Sequence, residues 1–278
     1  MKTLYFDCFS GISGDMVIGA LLDVGGDPVL LEQELKKLSI EEEYEIKWGN
    51  VVKNGITSTK FDVILKDDAA EKHHHDHDHG HEHHHEHDHH HHGHEHHHNH
   101  EHEHHTHSHH HRAYKDIVEM IESSELSSKV KQMSLSIFKK IGEAEGHIHG
   151  LPLDKVHFHE VGAVDSIIDI VGASILIEQL DITKIKSSAI PVGSGRIRID
   201  HGIYPVPAPA TLEILKGVPI EQSDVRFELT TPTGAAIVAV LAEEFSTFPS
   251  MEVKAIGYGT GTKTFKDRPN VLRVVVGI

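Results

Sequence analysis

The stretch "KTLYFDCFSGISGDMVIGALLDVGG", residues 2–26, decides the fold class. "KTLYFD" has the make-up of a short strand, and it runs into "CFSGISGD", a turn rich in Gly and Ser. Val17, Ala20, Leu21 and Val24 then recur at helical spacing until Gly25 and Gly26 stop the helix. A strand, a glycine turn and a helix in succession point to an α/β fold, and they present backbone N–H groups and a helix N-terminus to an anion. Ser10, Gly11, Ser13 and Gly14 are the candidate cradle. Asp7 closes the strand, and Asp15 lies in the first helical turn, where an acid also complements the helix dipole.

Working outward, a second helix should follow Asp27 and Pro28, carrying Leu30, Leu31, Leu35 and Leu38. "EYEIKWGNVVKNGITSTKFDVILKD" reads as two strands joined at Asn54 and Gly55, a dipeptide that favours the tight hairpin turn. Then the composition changes abruptly. From His73 to His111 there is no Lys, no Arg and no aliphatic side chain, and the tract holds 26 of the 31 histidines. Nothing in it can bury apolar surface, so residues 73–111 are expected to form a disordered metal-binding loop within one folded unit. Residues 1–72 and 112–278 form the two α/β parts of that unit, built on a mixed sheet with packed helices. Imidazole favours nickel, copper and zinc, and His84 and His97 stand for the many ligands on offer. The tract is internal and laced with Asp and Glu, unlike a purification tag, although an inert solvated linker would share its polarity.

Beyond the tract, Leu126, Val130, Met133, Ile137, Ile141, Ala144 and Ile148 step by three and four, which reads as a long amphipathic helix with His147 and His149 at its tail. "KVHFHE" reads as a strand, so that His157 and His159 share a face, with Glu160 adjacent. "DSIIDIVGASILIEQL" is apolar nearly all round and should be a buried helix, with Asp165 and Asp169 four apart on one face. Buried carboxylates need a partner, so His157, His159, Asp165 and Asp169 form a candidate metal site. The competing reading is local, since Ser166 and Asp169 also fit the spacing of a capping box.

"SSAIPVGSGRIRIDHGIYPVPAPATLEIL" gives a strand, a glycine turn, Arg196 and Arg198 on one strand face, His201, a rigid proline run and a helix from about Pro209. In "LTTPTGAAIVAVLAEEF", Thr231 is a natural N-cap and Pro232 the first helical residue, which makes Thr231, Thr233 and Gly234 a second candidate anion cradle. Two closing strands are joined by the glycine-rich loop of "GYGTGTKTFKDRPN".

A formal charge of −17 argues against a nucleic-acid partner, and no apolar run is long enough to suggest a membrane span. The Asp at position 7 interrupts any signal-peptide core, which leads to the expectation of a cytoplasmic protein. One cysteine, Cys8, excludes a disulfide framework and a cysteine cage for zinc. No phosphate loop, nucleophile elbow or zinc-protease motif is present.

"DCFSGISGDM", the His-rich tract, "VHFHEVGAVDSIIDIVG", "HGIYPVPAPATLEILKG", "TPTGAA" and "GYGTGTKTFKDRPNVLRV" together resemble the LarC family, the nickel-insertion proteins of the lactate racemase cofactor. The likeness covers essentially the whole chain. It implies a nickel chelatase, a lyase that inserts Ni²⁺ into pyridinium-3,5-bisthiocarboxylic acid mononucleotide, where two sulfurs and a ring carbon hold the metal as a pincer. It also implies that the two glycine and threonine cradles hold that mononucleotide. The ring proton lost on metallation would go to Asp15, Glu160 or His201. Full-length members continue into a region associated with manganese(II) and CTP, so the resemblance implies either a separate C-terminal polypeptide or a minimal form. Lactate racemase-type apoenzymes would be the recipients of the cofactor. The alternative from another class is a non-catalytic nickel-storage protein or metallochaperone, in which the tract is the whole function.

Overall fold

The computed structural model describes residues 1–66, 112–158, 163–199 and 202–278. His84, His97, His159, Glu160 and His201, and the expected disordered loop itself, lie outside the described residues. Strand β1 (Thr3–Asp7) leads through the glycine turn into helix α1 (Gly14–Asp23), followed by α2 (Pro28–Leu35). Asp27 starts α2 by accepting the N–H groups of Val29 and Leu30 at 2.8 and 3.3 Å. Strands β2 (Tyr44–Lys53) and β3 (Ile56–Leu65) form the expected hairpin. Asn54 and Gly55 both take positive φ, 47° and 83°, as that turn requires.

Past residue 111 come α3 (Tyr114–Ser123), α4 (Ser128–His149) and α5 (Val164–Gln179). Three local expectations are corrected here. Helix α3 was not legible, and α4 starts at Ser128 rather than Leu126, because the Ser127 hydroxyl caps it by accepting from Val130 N–H at 3.1 Å. Leu126 keeps the helical phase only by packing into the core. "KVHFHE" is not a strand over its described residues, where the only pairing is a single bridge between Ala113 and His157. The capping box on Ser166 does not form, since the residue preceding α5 is Ala163 and Ser166 is already helical.

The rest of the chain supplies β4 (Lys184–Ser187), β5 (Ile190–Pro191), β6 (Arg196–Ile199), β7 (Gly202–Pro205), α6 (Pro209–Ile214), β8 (Ile220–Glu221), α7 (Pro232–Leu241), β9 (Glu244–Phe245), β10 (Val253–Thr260) and β11 (Val271–Gly277). One mixed sheet of seven strands runs β2-β3-β10-β11-β1-β4-β9, so strands from both sides of residues 67–111 interleave. Two short pairs, β5-β8 and β6-β7, stand apart from it. Leu4 and Phe6 of β1 and Val274 and Val276 of β11 join the core shared with the helices. Tyr5, of opposite pleat, packs edge-on against Phe248 with ring centroids 5.3 Å apart.

Helix α5 is the hub, packed against α1, α2, α4 and α7. That explains why it is apolar on nearly every side. The α7 start is built as its sequence dictates, with Thr231 Oγ1 accepting from Gly234 N–H at 3.2 Å and Pro232 in the first turn. Thr231→Ala is expected to lower stability by about 1 kcal/mol, read as a lower urea midpoint at unchanged slope.

The parallel contact between β3 and β10 spans only Gly259–Thr59 and Thr260–Lys60. From Lys60 to Val63, β3 borders an opening at the helix starts.

Candidate functional site

Three helix N-termini meet at that opening. Ser13, Gly14 and Asp15 of α1, Asp165, Ser166 and Asp169 of α5, and Thr231, Pro232 and Thr233 of α7 line one cavity of about 370 Å³. Lys60 to Val63 of β3, Glu228 and Thr262 complete the wall. Backbone bonds lock the α1 and α7 starts together, with Ile12 N–H donating to Leu229 O and Thr231 N–H to Ile12 O, each at 3.1 Å. Such contact leaves no room for side chains, and a Cβ on Gly234 would overlap Ile12 O. A Cβ on Gly14 would overlap the Asp169 side chain.

The electrostatics favour a cation over an anion. Asp15, Asp62, Asp165, Asp169 and Glu228 line the cavity with one lysine, Lys60. Lys60 Nζ lies 2.9 Å from Asp15 and 2.7 Å from Asp62, and it also donates to Phe61 O at 2.8 Å. Burial works against its charge, but the two carboxylates outweigh burial and raise its pKa. Asp15 also accepts from the Ser13 hydroxyl. Asp165 is exposed, and its Oδ1 accepts from Ser166 N–H at 2.8 Å.

Asp169 is the strained group. Its Oδ1 is buried and has no hydrogen-bond partner among the described residues. Burial, then the Asp15 and Asp165 carboxylates, push its pKa well above the usual aspartate range, against the pull of Lys60 and the Asp15 backbone N–H. The three helix starts contribute about half a positive charge each at most, which tempers the field of five carboxylates without cancelling it.

The sequence-derived candidates therefore fall into groups. Asp15, Ser13, Gly14, Thr231, Thr233, Asp165 and Asp169 share the cavity. Ser10 is fully buried behind it, with its hydroxyl donating to Pro269 O at 2.7 Å, and Gly11 and Gly234 serve the close approach of α1 and α7. His157 is exposed and is not on the cavity wall. Cys8 is buried and its thiol is pushed up to about 12, chiefly by burial, so it offers no thiolate to a metal.

Sequence reasoning missed Lys60, Asp62 and Glu228. The single signal was the presence of Lys60 and Asp62 on the same face of β3, two residues apart. Among the described residues no three His, Cys, Asp or Glu side chains are arranged to hold a bare metal ion. A hydrated ion is another matter, since six waters occupy about 180 Å³ at about 30 Å³ each, well within the cavity.

A second cavity of about 400 Å³ shares Ser13, Asp15, Glu228, Thr231 and Thr262 with the first. Its remaining wall is Met16, Ile197, Phe227, Leu229, Gly261, Lys263 and Asn270. The two cavities thus share a wall, and together they make a site with an acidic end and an end that carries the aromatic Phe227.

The family model described as "Nickel insertion protein" matches residues 4–277. A Geobacillus kaustophilus protein named "Pyridinium-3,5-bisthiocarboxylic acid mononucleotide nickel insertion protein" is 50% identical over 277 residues, 100% of this chain and 60% of its own length. A Clostridium acetobutylicum protein of the same name is 53% identical over 277 residues, covering 100% of this chain and 64% of its own. A Staphylococcus epidermidis protein of that name is 44% identical over 274 residues, or 99% and 59%. The chain thus spans about 60% of the length of these relatives. No solved structure matches it.

Proposed function

The chain belongs to the nickel insertion protein family, and from that premise we propose that it passes Ni²⁺ to pyridinium-3,5-bisthiocarboxylic acid mononucleotide, with the acidic end of the cleft as the metal's last station on the protein. The observation that carries this reading is the partnerless, buried Oδ1 of Asp169, whose side chain lines a cavity together with four further carboxylates. A buried carboxylate oxygen without a partner is costly, and a cation relieves that cost. The nickel is cargo. Oxygen donors and water hold it weakly compared with sulfur, so the ion moves downhill to the two thiocarboxylates of the acceptor. Formation of the nickel–carbon bond displaces the ring proton to solvent or to a neighbouring base, for which Asp15, Glu160 and His201 are the candidates.

In this reading residues 73–111 are a reservoir. Their imidazoles raise the local nickel concentration, and His157 and His159 are proposed as further nickel ligands. Manganese(II) and CTP act through the further region of full-length relatives, and a separate polypeptide carrying that region is the partner this reading calls for. The mature cofactor goes to lactate racemase-type apoenzymes in the cytoplasm, with no nucleic acid or membrane involved. No helix among the described residues is long and apolar enough to cross a membrane.

The test is nickel transfer to the purified mononucleotide, followed by cofactor absorbance, with the rest of a full-length relative, manganese and CTP present or absent. Deleting residues 73–111 is expected to lower the nickel bound at saturation several-fold while leaving transfer from freely supplied nickel within about twofold. Loss of transfer on deletion would overturn the reading in favour of a storage protein whose function is the tract.

A further inference from the structure

The aromatic end of the cleft has no role in holding the metal, yet it is as large as the acidic end and is built as carefully. Phe227 packs edge-on against Phe265 with ring centroids 6.0 Å apart, and Lys263 Nζ lies 5.3 Å from the Phe227 centroid. The loop that carries Lys263 is tied down twice. Asn270 Nδ2 donates to Lys263 O at 3.1 Å, and Lys53 Nζ reaches Thr264 Oγ1 at 2.8 Å from the β2–β3 hairpin. Glu228 is held on the shared wall by the bridge between its own backbone and Gly193.

The chemistry of this wall selects its guest. Met16, Ile197, Leu229 and Phe227 give the cavity an apolar lining, and Asp15 and Glu228 add negative charge to its wall. A cationic ring gains from both, since the face of an aromatic ring and a carboxylate each attract positive charge. A free phosphate gains from neither, and the five carboxylates next door repel it. Lys263 already shows that the Phe227 face accepts a cation. Its side chain is exposed and can swing to an anionic substituent when a ring takes its place.

We propose that the cavity lined by Phe227 seats the planar N-substituted pyridinium ring of the acceptor, with its phosphate towards Lys263 and its anionic thiocarboxylates towards the acidic end, where the Ni²⁺ cargo lies between them and the carboxylates of Asp15 and Glu228. This rests on the reading of the chain as a nickel-insertion protein, and it adds where the organic partner lies and which side chain selects a charged ring. Glu228 and Asp15, common to both cavities, then border the place where metal and acceptor meet.

Nicotinic acid mononucleotide, a pyridinium mononucleotide with a carboxylate on the ring, is the probe. Its binding to the full chain is measured by calorimetry and by saturation-transfer NMR of the ring protons. Phe227→Leu keeps the bulk and removes the ring face, and it is expected to weaken binding roughly tenfold or more. Glu119→Gln, on a separate cavity, is expected to leave probe affinity within about twofold. Undiminished binding by Phe227→Leu and by Phe227→Ala, or equal loss in Glu119→Gln, would place the ring elsewhere and overturn the inference, as would no binding to the parent chain. Circular dichroism checks that each variant is folded. Failure of nickel transfer by the parent chain, with probe binding still lost in Phe227→Leu, would remove the proposed function and leave the ring site standing.

Discussion

Asp169→Asn is expected to cut nickel transfer by at least 10–100-fold, the usual range for groups that support a metal site, while leaving the protein folded and, without metal at neutral pH, more stable than the parent. Both effects come from one atom. The Asp169 Oδ1 is buried with no hydrogen-bond partner among the described residues, beside Asp15 and Asp165. Because its pKa is raised on folding, the native state binds a proton more tightly than the unfolded chain does. Stability therefore falls as pH rises from the ordinary aspartate range through the raised native value, and the penalty is complete above it. The neutral amide of the variant never carries that penalty.

Thermal midpoints of the two proteins in chelator should thus differ most at neutral pH and converge as the pH falls from the raised native Asp169 value to the ordinary aspartate range. Divergence on acidification would show that the carboxylate is stabilised rather than strained. Added nickel should raise the parent midpoint more than that of the variant, since only a ligand that prefers the native state stabilises it. The histidines of the tract contribute equally to both proteins, and the difference between them isolates the cleft.

Gly11→Ala is expected to destabilise the fold by at least about 3 kcal/mol, enough to abolish accumulation of folded protein if the parent is of ordinary stability. Gly11 has φ of +96°, and a Cβ there would sit inside the van der Waals radius of Leu229 O. The atom it meets belongs to backbone, which is itself bonded to Ile12 N–H at 3.1 Å, so neither side can yield without breaking the junction of α1 and α7. Gly25 is the control. Its φ is +119°, but nothing lies within 4 Å of where a Cβ would stand, so Gly25→Ala should carry only the conformational cost of about 1–2 kcal/mol. Urea titrations of both variants separate the two contributions. Equal losses would mean that the close approach at Gly11 is unimportant.

Gly11 also shows how a local reading leaves out what tertiary contact demands of the same residue. A glycine turn between a strand and a helix suggests an anion cradle, and the helix starts there as expected. In the fold, Asp15 and Asp169 lie at that start, Gly11 serves the close approach to the Leu229 backbone more than two hundred residues later, and Gly14 makes room for the Asp169 side chain. Thr231 behaves as its sequence suggests, because a cap depends on a donor three residues away.

The sequence by itself determined what depends on near neighbours along the chain. It specified α1, α2, α5 and α7 through apolar spacing and caps, the Asn54–Gly55 hairpin through backbone conformation, and the carboxylate pair of Asp165 and Asp169 through the four-residue repeat of a helix. It also carried the family resemblance, and the family model matches residues 4–277. Only the tertiary structure decided that Lys60, Asp62 and Glu228 share a wall with those carboxylates, that His157 does not, and that Phe227 and Lys263 line the adjoining cavity. The bond from Lys60 to Asp15 joins residues 45 apart, and that from Arg273 to Asp7 residues 266 apart. No periodicity or capping rule reaches so far. The charge of a cavity is a sum over such distant side chains, and it is settled only when the sheet order brings their backbones together.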